Sequence, residues 1–221
     1  MFNLFKKKPL EHSSIISNNP EAAIPLCNRA HEFDSSGNYT KAFKYYLKAA
    51  KYGDGQAQCL LGTYFLSGQG TKINLENAEF WFHESIKNPN TDALNKYNAC
   101  CNLGQIYYHK KNDPHTAFTW FKRAAENGNL EAQAFLGEMY DNGAGITKDI
   151  QQAVYWYELS ANAGHPRSQF NLAEMYLHGD GVEINHMKAT QLMMESAKQG
   201  NEPAVKRLQE MMAHLKANGL I

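Results

Sequence analysis

Five alanines open five similar phrases at a nearly fixed interval. Ala42, Ala78, Ala117, Ala153 and Ala189 begin AFKYY, AEFWF, AFTWF, AVYWY and ATQLM, at spacings of 36, 39, 36 and 36 residues. A period of this length marks an array of small supersecondary units. One such unit cannot bury its own apolar face, so neighbours must stack and share a core.

Each phrase is the second half of a unit. Upstream lie LGTYF (61–65), LGQIY (103–107), LGEMY (136–140) and LAEMY (172–176), with RAHEF (29–33) as a weaker copy. Ala57, Ala99, Ala132 and Ser168 precede the leucines by four residues, which sets a helical stripe at i, i+4, i+8. The downstream phrases run to the small pairs Ala49-Ala50, Ala124-Ala125, Ser160-Ala161 and Ser196-Ala197, and to Ser85-Ile86. Gly53, Gly128, Gly164 and Gly200 stand just beyond four of these, where a left-handed glycine stops a helix. Each unit is therefore predicted as helix A, loop, helix B and tight turn. Gly62, Gly104, Gly137 and Ala173 let helix B press on helix A, and Trp81, Trp120 and Trp156 fill the space between units.

Three loops carry a G-x-G: FLSGQGTKIN (65–74), YDNGAGITKD (140–149) and YLHGDGVEIN (176–185). A dinucleotide loop needs a third glycine three residues on, and Lys148 stands there. A P-loop needs Gly-Lys-Ser/Thr, and the chain has none. One phosphate site needs one such loop; three copies mean punctuation in a repeat.

Taken together these slots resemble the Sel-1-like repeat family, a relative of the tetratricopeptide repeat. The stretch from Ala132 to Gly164 fits the family pattern A-x-x-x-L-G-x-x-Y-x-x-G-x-G-V-x-x-D-x-x-x-A-x-x-W-Y-x-x-A-A-x-x-G at nearly every slot. The stretch from Ser168 to Gly200 is close, with Leu192-Met193 replacing the aromatics; 57–86 and 99–128 match in part. The loops HKKNDP and DSSGNY lack G-x-G and look tetratricopeptide-like. The resemblance covers about residues 22 to 201. It implies an all-α fold, a right-handed α-solenoid of about five helix pairs, with helix A on the concave side and helix B on the convex side. It also implies binding or scaffolding rather than chemistry.

The expected division is a mobile N-terminal arm (1–20), the repeat solenoid (21–201) and a C-terminal capping helix (202–221). Phe5 beside Lys6, Lys7 and Lys8 is read as part of a solvated arm. KNPNTDALNKYN (87–98) replaces a tight turn and predicts a longer bend. The last helix starts with Pro203 in its first turn, and Val205, Leu208, Met211, Met212 and Leu215 are expected on one side of it.

The 221 residues are 20% charged and 43% hydrophobic, with net charge zero. That is ordinary globular composition, and it argues against a dedicated nucleic-acid binder. The lysines near the N-terminus precede no apolar run, and no run elsewhere is long enough to span a bilayer, so a cytoplasmic chain with reduced thiols is expected. Cys27, Cys59 and Cys101 fill one packing slot, and only Cys100 breaks the register. The nine histidines form no metal motif, and no nucleophile elbow occurs. Catalytic, metal and cofactor residues are therefore expected to be none.

What remains is the groove that the resemblance implies along helix A. Its candidate residues are Tyr108, His109, Glu138, Asp141, Phe170, Glu174, Leu177 and His178. Residues 124–202 hold 11 acidic and 4 basic side chains, net 7 negative, so this groove should be acidic with few bases to neutralise it. The expected function is a non-enzymatic adaptor that binds a basic segment of a partner protein there. The alternatives are a structural or toxin-neutralising partner binding by its convex face or end cap, and a hydrolytic enzyme.

Overall fold

The computed structural model describes residues 19–217, which form eleven α-helices and no strand. The chain divides into two compact units, one ending at Ile106 and one beginning at Tyr107. The first contains α1 (Pro20–Ser35), α2 (Tyr39–Lys51), α3 (Gly55–Ser67), α4 (Leu75–Lys87) and α5 (Ala93–Gln105). A short π-helical segment, Ile106–Lys110, follows. The second unit contains α6 (Pro114–Ala125), α7 (Leu130–Asn142), α8 (Ile150–Asn162), α9 (Pro166–His178), α10 (His186–Lys198) and α11 (Glu202–Ala217). Within each unit, helices adjacent in sequence pack on one another.

The ten-residue loop phrases close on themselves. The backbone N–H of Asn74, Asp149 and Asn185 donates to the carbonyl of Phe65, Tyr140 and Tyr176, each at 2.9 Å. The same three residues N-cap the next helix through their side chains. The two glycines have separate duties, seen clearly in the loop after α7. Gly143 (φ +68°) is its left-handed C-cap. Gly145 (φ +77°) lies against the start of α6, where an added Cβ would sit 2.5 Å from the Pro114 carbonyl carbon. Glycine is required there by helix packing, which accounts for the recurrence without any anion.

Two sets of buried polar ties escaped the sequence reading. The Gln58, Gln133 and Gln169 amides donate to the carbonyls of Ala50, Ala125 and Ala161 at 3.2, 3.1 and 3.4 Å. Each fastens a helix A to the last turn of the preceding helix B. The hydroxyls of Ser85, Ser160 and Ser196 donate to Gly55, Leu130 and Pro166, the first residues of α3, α7 and α9. Cys100 falls in the glutamine slot, one residue after Ala99 as Gln58 is after Ala57. That is why it alone left the cysteine register. All four cysteines are buried free thiols, and burial pushes Cys27 and Cys59 up to about 12.

Trp81 and Trp156 are buried as packing residues, whereas Trp120 keeps part of its surface exposed. The predicted long bend over 87–98 is shorter than expected. Asp92 N-caps α5, so the inserted residues extend that helix N-terminally instead of lengthening the loop. In α11 two of the residues expected on the buried side, Leu208 and Met211, pack there, and two others, Val205 and Met212, do not. Ala204 is buried and Leu208 and Met211 pack on the core of Leu172, Ala189 and Met193, at i, i+4 and i+7. Val205 and Met212 are exposed. The side chain of Leu215, and the expected arm with Phe5 and its lysines, lie outside the described residues.

Candidate binding groove

In the second unit α7, α9 and the start of α11 enclose a cavity of about 680 Å³. Its origin is the small slot of α7. Gly137 has no side chain, so the Tyr157 ring of α8 lies against the α7 backbone and reaches the cavity floor. Met175 and Phe170 add apolar wall. Glu138, Asp141 and Asn142 follow one face of α7 at i, i+3 and i+4; Phe170, Asn171, Glu174 and Met175, at i, i+1, i+4 and i+5, line it from α9. Asp180 and Glu202 complete the lining with Asn201 and Pro203, and Arg167 is the one cation among its described lining residues.

Four of the eight expected residues, Glu138, Asp141, Phe170 and Glu174, meet in this cavity. The others lie elsewhere in the same unit. Tyr108 is half-buried, with Phe121 and Phe135 at ring-centroid distances of 6.4 and 6.2 Å. His109 is exposed, its ring 5.8 Å from Phe135. Leu177 and His178 line a second cavity of about 480 Å³ with Arg207, Glu210, Met211 and His214.

The expectation of few neutralising bases needs correction. Arg167 donates through Nη2 to Glu131 at 3.1 Å and holds Nη1 3.7 Å from Glu138, with its guanidinium 4.1 Å above the Phe135 ring. Arg207 donates through Nε to Glu174 at 3.1 Å, and His178 stands 3.5 Å from the other oxygen of that carboxylate. Lys148 is 3.5 Å from Asp141. Asp180 and Glu202 are exposed, and their carboxylates have no ionic partner among the described residues.

Burial and the nearby carboxylates act together on the phenols of the groove. Burial first, then the charges of Glu138 and Asp141, raise the Tyr157 phenol above its ordinary value. Burial and Glu138 raise Tyr108, with Arg167 opposing. At the base of α9, His165 serves as N-cap through Nδ1, which accepts the Ser168 N–H. Its Nε2 then carries the proton and donates to Glu131 at 2.8 Å. That hydrogen bond, with the Arg167 charge, holds Glu131 below its ordinary value against its burial.

Tyr157, Arg167, Asp180 and Glu202 were missed as groove residues. Arg167 and its partner Glu131 are 36 residues apart, one repeat, and that equivalence is the signal that could have paired them. Among the described residues no group of three or more His, Cys, Asp or Glu could hold a metal ion, and no helix is long and apolar enough to cross a membrane.

The Sel1 repeat matches residues 18–54, 55–90, 98–129, 130–165 and 166–201. Among solved structures, a Sel1 repeat protein from Oxalobacter formigenes is 30% identical, with a TM-score of 0.74 over 86% of this chain and 77% of its own. c5321, a protective antigen of uropathogenic Escherichia coli strains displaying an SLR fold, is 27% identical with a TM-score of 0.72 over 90% of this chain. The chain spans 42% of the length of that E. coli protein.

Proposed function

The chain belongs to the Sel1 repeat family, an α-solenoid class of helix pairs, and from that premise we propose that it is a non-enzymatic interaction module whose groove between α7, α9 and α11 receives a basic segment of a partner protein. Repeats of this family are in general protein–protein interaction modules. The observation that carries the finer reading is the lining of the cavity. Five carboxylates (Glu138, Asp141, Glu174, Asp180 and Glu202) line it over an apolar floor of Tyr157, Phe170 and Met175, and two of them, Asp180 and Glu202, have no ionic partner among the described residues. Negative charge attracts and orients a cationic segment, while apolar anchors supply most of the affinity. The reading includes a cytoplasmic location, where four buried thiols remain reduced.

An outward-facing alternative rests on α10, where Met187 and Met194 are 82% and 47% exposed around a shallow depression. It offers no charge selectivity, and the groove does.

The test is a random peptide array probed with the labelled chain. The groove reading requires enrichment of Lys and Arg next to a large apolar residue, and loss of those signals with Phe170→Ala. Enrichment that ignores charge and survives Phe170→Ala, but falls with Met187→Lys, would move the site to α10.

A further inference from the structure

We infer that the carboxylates that select a partner's cationic group are Asp180 and Glu202, at the α11 end of the groove, and that Arg167 and Arg207 act as built-in competitors for the remaining acids. The inference rests on the groove reading and deepens it to named residues. Three of the five carboxylates in the cavity are already engaged: Glu138 with Arg167, Glu174 with Arg207 and His178, and Asp141 with Lys148. An incoming lysine or arginine gains little from a carboxylate whose charge is already balanced, because it must first displace the resident cation. Asp180, in the loop after α9, and Glu202, in the first turn of α11, line the same cavity and hold no such cation among the described residues.

The occupant is fixed by charge and shape together. The α11 end offers two unneutralised negative charges beside the apolar surface of Phe170 and Met175. A guanidinium or ammonium followed by a leucine-sized side chain satisfies both. Arg207 shows the geometry such a group takes against Glu174, since its own Nε donates there from the neighbouring helix. The protein thus carries a copy of the interaction it offers.

Fluorescence anisotropy with a labelled Arg-Leu-Arg peptide, at low salt, separates the outcomes. Asp180→Asn with Glu202→Gln should weaken binding about three- to tenfold, the range for two solvent-exposed ion pairs. Arg207→Gln should tighten it by about threefold, by freeing Glu174. The charge-balanced double change Arg207→Gln with Glu174→Gln should leave it unchanged. Circular dichroism melts of each variant check that the fold survives. If the balanced pair weakens binding and the Asp180/Glu202 pair does not, the inference is overturned while the groove reading stands. If the wild-type chain fails to bind the peptide, or binds it equally with Phe170→Ala, the groove reading falls and takes the inference with it.

Discussion

Gly137 and Tyr157 meet so closely that a Cβ on the glycine would lie 2.5 Å from the Cδ1 and Cε1 atoms of the ring. The ring is 2% exposed and cannot swing into solvent. This contact fixes the spacing of α7 and α8 and also floors the groove. Gly137→Leu should overpack the joint and cost about 1–3 kcal/mol. Urea denaturation measures it. An unchanged midpoint would mean that the two helices separate without penalty.

A buried acceptor predicts the opposite kind of variant. The side-chain oxygen of Gln58 accepts from Asn88 at 3.0 Å, and that of Gln169 accepts from Gln199 at 2.9 Å, each 30 residues on. The equivalent partner of Gln133 is Ala163, and the Gln133 Oε1 has no donor among the described residues. Ala163 has nearly the backbone angles of Gln199, so a glutamine there can copy the pair. Ala163→Gln should stabilise the chain by about 0.5–1.5 kcal/mol, the usual net value of a hydrogen bond. Thermal melts of the two forms read the difference, and a fall in midpoint would refute the equivalence.

Acid should loosen the base of α9. Glu131 is held below its ordinary value of 4.5, first by the His165 hydrogen bond and then by the Arg167 charge. A depressed carboxylate contributes stability that is complete above the unfolded value and is lost as pH falls through the folded one. The contribution of Glu131 should therefore be constant near neutrality and decline below about pH 4.5. Denaturation midpoints measured across that range should fall more steeply for wild type than for Glu131→Gln. Parallel curves would remove Glu131 from the account.

Salt and truncation should act on different rates of partner binding. Ionic strength above about 0.1 M screens the groove charges and should slow association. Phe170→Ala removes an apolar anchor and should speed dissociation about tenfold or more, as loss of a central interface aromatic does. Surface plasmon resonance with an array-selected peptide resolves both rates, and salt-independent association would place the contact outside the groove.

The fold was legible because its determinants are local and recurring. Small residues at 62 and 137, aromatics at 82 and 157, and glycine stops at 53, 128, 164 and 200 each report one packing slot within a short window. Glu138, Asp141, Glu174 and Phe170 were legible through the family resemblance, which assigns one face of helix A to the groove, whereas Asp180 and Glu202 lie outside helix A and were not. Nor was the neutralisation of the helix A acids. Arg207 meets Glu174 across 33 residues and Arg167 meets Glu131 across 36, so each pair exists only once the units are stacked. The N-cap role of His165 was hidden differently, because histidine stands where its counterparts Asp54 and Asn129 announce a cap.

The contact between Gly145 and Pro114 has a consequence for how such a chain can lengthen or shorten. Gly181 stands 36 residues after Gly145, and Ile150, which it packs against, stands 36 after Pro114. Excision of one whole period would bring an equivalent glycine to an equivalent helix start. Loss of a single residue from the Gly145 loop would offer the start of α6 a side chain where its backbone admits only hydrogen, and in the Gly181 loop it would crowd Ile150 and Val154. Across these G-x-G loops the length-preserving change is therefore the complete helix pair, and the shorter insertion this chain does carry is taken up elsewhere, by the lengthened start of α5.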